Sequence, residues 1–331
     1  MPEPSPTRPP IGSLAIIAIV VAVGAGAFAY TAGWLSPTRL TPTKIVDSLA
    51  PPGGPSLGYR RNHAKGNCFT GVFESNVNGA ELSSAQVFAR GEYPALGRFN
   101  LATADANAPD STVRVRGLGL QLSTPDGEVW RSAMIDPPFF SVSTPEGFYE
   151  LQLAAHSKDP NAMKAFVAGH LEFAPFAEWA KTAPWTASYA EEPYNSLNSF
   201  IFVSGSGAEH AVRWSLLPQA QVVPITQEDL AKLGPNHLAQ EIAERVAKAP
   251  QRWTMVVTVA DPGDPTADPS TAWPPGRRTV EVGALVVQRI EGETEWAVPR
   301  DQFRPDDPAQ WRPGVGRSIP RGAIRRLCEV L

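Results

Sequence analysis

The sequence predicts an α+β protein in which an antiparallel β-barrel or curled sheet carries helices on its outside, preceded by one N-terminal transmembrane helix. Three observations predict it. The 34 prolines and 27 glycines among 331 residues are too many for a helical bundle and suit short strands joined by turns. The hydrophobic patterns run in the order strands, helices, strands, one helix, strands, as expected when helices are segregated from an antiparallel sheet. The third is an uncharged apolar run near the N-terminus that stands apart from the rest.

That run comes first. No residue from Pro9 to Thr38 is charged, and Ile11 to Tyr30 is almost continuously apolar. About 20 such residues cross a hydrocarbon core of ~30 Å as a helix. A tail of residues 1–10 therefore leads into a membrane segment, 11–34, for which two outcomes stay open. It is an uncleaved anchor, or a signal segment removed after Ala29, because Ala27-Phe28-Ala29 has the small-x-small pattern of a cleavage site. Either outcome puts the following domain outside the cytoplasm, most simply in a bacterial periplasm, tied to the inner membrane if the segment is retained. Residues 35–58, rich in Pro, Thr and Gly, read as an extended tether with one short helical turn at Lys44 to Leu49.

Alternating or short apolar runs follow, punctuated by Gly, Asn and Asp. They predict strands at Phe69–Phe73, Ser84–Ala89, Arg98–Ala102, Val113–Leu122 and Val129–Met134. From Thr144 to Trp185 the apolar spacing becomes helical, with Pro145 and Glu146 at a helix start. Strands resume at Ser199–Val203 and Ala211–Leu216. One continuous helix is expected from Thr226 to Val246, with Thr226 as N-cap and Glu228 and Asp229 in its first turn. Strands at Arg252–Val259 and Thr279–Gln288 complete the sheet.

Composition excludes several function classes. With 43% hydrophobic and 19% charged residues the chain can bury a sizeable core, and a net charge of -4 provides no basic face for nucleic acid. Cys68 and Cys328 have no metal-ligand spacing. Cys68 reads as a small packed thiol, with pairing in an oxidising compartment as the alternative. His156, His170, His210 and His237 are dispersed without an HExxH spacing, and no GxSxG, phosphate loop or GxGxxG occurs.

The informative run is Arg60-Arg61-Asn62-His63-Ala64-Lys65-Gly66, followed by Gly71-Val72-Phe73. A neutral imidazole, with an unperturbed pKa of about 6.5, can take a proton from a bound peroxide and return it to the departing oxygen. His63 is that candidate on an extended, glycine-bounded segment. Gly66 permits close backbone approach, and Lys65 is expected to point to solvent.

Further blocks stand in order: Arg98-Phe99-Asn100, Val113-Arg114 with Gly117-Leu118-Gly119-Leu120, Met134 to Phe140, and Ser143-Thr144-Pro145-Glu146-Gly147-Phe148. Tyr194 to Phe200, Arg213-Trp214, Asp268 to Pro274 and Val282-Gly283 continue the series. In that order the chain resembles the catalase superfamily, specifically the short catalase-related peroxidases, over residues 45 to 310. The resemblance implies an antiparallel barrel enclosing haem b, within a catalase-like haem-binding domain at residues 59–310. It also implies a peroxidase that reduces hydrogen peroxide or organic hydroperoxides with a small organic electron donor. His63 would be the distal acid/base, Arg60 and Arg98 would face haem propionates, and Phe148 would pack on the haem face.

Three departures qualify it. Ile135 stands where catalases carry an Asn that hydrogen-bonds peroxide, and Asn100 replaces the usual Ser, so weak or no catalase activity is expected. The family's proximal Tyr ligand is missing, because no Tyr follows Tyr194. Residues 311–331 instead form a divergent basic end that resembles no part of the motif and reads as an altered end; Cys328 would be the substitute ligand. The competing expectation is therefore a non-catalytic, membrane-anchored barrel acting as a binding module.

Overall fold

The computed structural model describes residues 11–34, 36, 39–51 and 53–291, and the chain divides into two units, 1–47 and 48–331. In the first unit the apolar run forms α1 (Ile11–Thr31), whose stretch Leu14–Thr31 is long and apolar enough to cross a membrane and has no buried residue. Thr31 Oγ1 closes its last turn by donating to Ala27 O at 2.9 Å. A second helix, α2 (Pro42–Ser48), stands where one turn is expected; Thr41 Oγ1 accepts from the Lys44 N–H at 3.2 Å.

Among the described residues the second unit has nine strands, β1 (Gly66–Ser75), β2 (Gly91–Leu101), β3 (Arg116–Ser123), β4 (Val129–Ile135), β5 (Tyr194–Asn195), β6 (Phe200–Val203), β7 (Glu209–Pro218), β8 (Gln251–Val259) and β9 (Thr279–Glu291). All pairings are antiparallel. The two-residue strand β5 bonds both β4 and β7, and β9 bonds β1, so eight strands close a ring while β6 hangs on β7. Closure removes the edges of the eight-strand ring and leaves β6 with one open side.

Alternation along each strand sends apolar side chains inward. Phe69, Phe73, Phe99, Leu118, Tyr194, Trp214 and Trp253 meet in the interior. Phe99 of β2 lies 5.5 Å from the Trp253 ring of β8 and 5.9 Å from the Tyr194 ring of β5, contacts that span the barrel. Each such ring contributes about 2–3 kcal/mol by burial. Side chains from around the ring therefore pack together in the interior.

Three helices, α3 (Pro145–Ala155), α4 (Ala162–Gly169) and α5 (Ala174–Thr182), hold a smaller core around Val142, Phe166 and Phe173. Thr144 caps α3 by accepting from the Gly147 N–H at 3.1 Å. The later helix is two pieces, α6 (Gln227–Lys232) and α7 (His237–Lys248), with Thr226 capping α6 as expected. The break follows from Gly234, at φ 106, before Pro235, which disfavours helical backbone at the residue it follows. On α7, Leu238, Ile242 and Val246 form the buried stripe.

Residues 84–89 are not a strand. A short 3-10 turn at Gln86–Phe88 buries Val87 and Phe88 together, which alternating strand geometry cannot do for successive residues, and Phe88 meets Phe202 at 5.4 Å. The strand expected from Arg98 begins instead at Gly91. It carries Pro94 where β2 pairs with β1 but not yet with β3, so no ladder bond is lost on that side.

Candidate active site

Because Phe99 points into the barrel, Asn100 points out of it. Pairing registers place Gly66, Asn100, Gly117 and Ile135 in one row across β1 to β4. The two glycines make room. A β-carbon at Gly117 would collide with Asn100 Oδ1, and one at Gly66 would collide with Phe99 O and stand 2.9 Å from Arg98 Cζ. The open floor they leave lets the Asn100 and Arg98 side chains reach His63.

His63 precedes β1 and has left-handed backbone, φ 54, not the extended form expected for the segment. Such a conformation costs a non-glycine residue on the order of 1 kcal/mol or more, and persists only when its surroundings hold it. Four contacts do so. The His63 N–H donates to its neighbour's Asn62 Oδ1 at 2.9 Å, and Arg98 Nη1 donates to His63 O at 2.7 Å. Ala64 N donates to Thr103 O at 2.8 Å, and Leu101 N donates to Lys65 O at 3.0 Å.

The imidazole has a defined tautomer. Asn100 Nδ2 donates to Arg98 O at 3.3 Å, which turns Asn100 Oδ1 toward His63 Nδ1, 2.6 Å away. An amide oxygen only accepts, so Nδ1 carries the proton and Nε2 carries the lone pair. Burial holds the His63 pKa below its ordinary value; the Asn100 bond pulls it partly back, and the Arg98 and Arg60 cations press it down again. The result is a neutral base near pH 7.

The other residues expected at the site stand as follows. Arg98, 1% exposed, is committed to backbone: besides His63 O, its Nη2 reaches Ala64 O at 3.4 Å. Arg60 is half-buried and acts on His63 through its charge. Phe148 sits on α3 against Phe140, 5.7 Å between rings, as part of the helical core. Lys65 does not point to solvent; its side chain is 11% exposed and pairs with Asp110 at 2.7 Å. Cys68 is disulfide-bonded and not a packed thiol. Cys328 and the divergent end lie outside the described residues.

Two residues went unread in the sequence, one at the His63 ring and one at the end of β4. Asn100 registers there only as a departure, yet it fixes the base; its position directly after Arg98-Phe99 on an alternating strand was the available signal. Asp136, beside Ile135, is buried, and burial and then the Glu192 charge push its carboxyl well above the usual range. Its Oδ1 accepts from the Arg116 N–H at 2.8 Å, tying the end of β4 to β3.

Comparison with known proteins agrees with this architecture. A family model described as Catalase matches residues 27–290. A catalase-related peroxidase of Synechococcus elongatus is 31% identical over 83% of this chain and 81% of its own length. One of Mycolicibacterium paratuberculosis is 30% identical over 77% and 82%. Among solved structures, a fungal catalase and catalase A from Saccharomyces cerevisiae each superpose with a TM-score of 0.64, at 17% and 18% identity, over 71% of this chain. This chain spans about half the length of those two, 50% and 52%.

Proposed function

This chain belongs to the catalase family, and on that premise we propose that it is a haem b-dependent peroxidase in which His63 is the acid/base. The family and its peroxidase-named relatives make it an oxidoreductase acting on peroxide. Its oxidant is hydrogen peroxide or an organic hydroperoxide, and its reductant is a small organic donor. The observation that carries the reading is the Nδ1-to-Asn100 bond, which leaves the His63 Nε2 lone pair for proton transfer.

The residues around His63 suit haem on the distal side. Two cations, Arg98 and Arg60, lie close enough to press on the His63 pKa, and a guanidinium is the group that pairs a haem carboxylate. Arg60 and Arg98 are the candidate propionate partners. Haem iron, when bound, supplies the electrons that cleave the O–O bond. His63 Nε2 removes the proton of the incoming hydroperoxide and delivers it to the leaving oxygen, which departs as water or an alcohol. Ile135, in the same row as Asn100, offers no side-chain hydrogen bond to orient a second peroxide, so disproportionation is weak. The α1 helix anchors the enzyme, with the barrel in a bacterial periplasm.

A second reading, an anchored barrel that acts as a haem-free binding module, has one observation in its favour. No Tyr follows Tyr194, and the Tyr194 hydroxyl donates to Tyr189 O within the barrel, 3.0 Å away. Titration of the detergent-solubilised chain with haem separates the two. A saturable Soret band and peroxide-dependent oxidation of a phenolic donor support the enzyme; absence of both leaves the module.

A further inference from the structure

Lys65 lies two residues beyond His63 and is largely withdrawn from solvent, its side chain 11% exposed, a costly placement for an ammonium unless it finds partners. Here Lys65 Nζ donates to Ala108 O at 2.8 Å and to Pro235 O at 2.5 Å, and forms an ion pair with Asp110 Oδ1 at 2.7 Å. Two of these partners lie on one stretch, at residues 108 and 110, and the third is 170 residues away, so one side chain gathers two distant segments behind the His63 turn. Asp110, itself buried, meets Lys65 through charge, its Oδ1 making the ion pair and no hydrogen bond. Its Oδ2 accepts from the Leu238 N–H at 2.8 Å in the first turn of α7, and its own N–H donates to Pro235 O at 3.1 Å.

The His63 turn is thus gripped from two directions. In front, Asn62, Arg98 and Asn100 hold the His63 backbone and ring. Behind, the Lys65 ammonium fixes the residue whose carbonyl accepts from Leu101, one position along β2 from Asn100. A left-handed histidine would otherwise relax toward extended backbone, and its Nδ1 would leave Asn100 Oδ1. We propose that Lys65, through its ion pair with Asp110, is a positioning residue for His63, coupling the distal turn to the start of α7. This rests on the reading of His63 as the proton-transfer group.

The test is made on full-length chain in detergent, with Lys65→Met, Asp110→Asn and the double variant. In haem-free protein, the ¹⁵N spectrum of the His63 ring reads its tautomer and titration midpoint, with the Arg98 and Arg60 charges unchanged. Both single variants should lose the fixed Nδ1–H tautomer and move the midpoint toward the ordinary value, and the double should be no worse than either single, as expected for one coupled pair. In haem-loaded protein the second-order rate with peroxide should fall about tenfold or more, equal to about 1.4 kcal/mol of barrier. If Lys65→Met does not fold, Asp110→Asn decides alone, since an amide oxygen still accepts from Leu238. An unaltered ring spectrum and a peroxide rate within about twofold of the parent would overturn the proposal. His63→Ala with undiminished peroxide rate would instead overturn the reading of His63, while the haem-free spectrum still reports on Lys65.

Discussion

Phe99 and Asn100 are adjacent in sequence and live in different environments. Phe99 faces the barrel interior, stacked on Tyr189 at 5.3 Å and touching Phe69, Tyr194 and Trp253. Asn100 faces the glycine-floored exterior and reaches one imidazole. The contrast teaches that the two-residue period of a strand divides labour: the inner face supplies stability, and the outer face carries the candidate site.

Breaking the inner side should give the largest effect. Phe99→Ala removes a fully buried ring with four aromatic neighbours and should destabilise by about 3–5 kcal/mol, read as a lowered denaturation midpoint with all site signals lost together. His63→Ala is the outer counterpart. The rate of reaction with peroxide should drop about 10²–10⁴-fold while the denaturation midpoint stays near the parent's, and a comparable loss of both would erase the division.

Asn100→Ala sharpens the comparison further. It keeps Phe99 in place and removes the acceptor that sets the His63 tautomer, so a fall of roughly tenfold to a hundredfold in the same rate is expected at little structural cost. The pH profile follows from the direction of the His63 shift. Protonation removes the base only below the lowered folded pKa, so the acid limb of the rate should lie below about pH 6.5. The sign for stability agrees: the unfolded chain takes the proton first, so stability falls as pH drops from about 6.5 toward the folded value.

The smallest effect belongs far from the barrel wall. His170 sits between Glu150 at 2.7 Å and Glu172 at 3.1 Å, and those two bonds raise its pKa. Its contribution is present at low pH and lost as pH rises through the raised folded value. His170→Gln should therefore lower stability by less than about 1 kcal/mol, and only on the acid side.

Much of the fold was legible because its cues are local. Alternation predicted most strands, and Thr226 and the Pro145-Glu146 start announced helix ends through chemistry a few residues wide. Residues 84–89 misled because alternation appears there by chance, while the barrel end buries Val87 and Phe88 together. The α6–α7 break was locally written in Gly234-Pro235 but was outvoted by helical spacing on either side. Lys65 was misplaced for the opposite reason: its partners Ala108, Asp110 and Pro235 are distant in sequence, and nothing near Lys65 names them.

The sequence by itself determined the apolar helix, the antiparallel α+β pattern and His63 as the candidate base, since side-chain period, hydropathy and imidazole chemistry need no distant partner. Only the tertiary structure decided that side chains from around the ring pack together in the interior, that the candidate site stands on the outer face, and that Asn100 chooses the His63 tautomer. Those outcomes depend on register between strands. A one-residue slip of β2 would exchange Phe99 and Asn100 between faces, and that register is set by the packing of the whole ring.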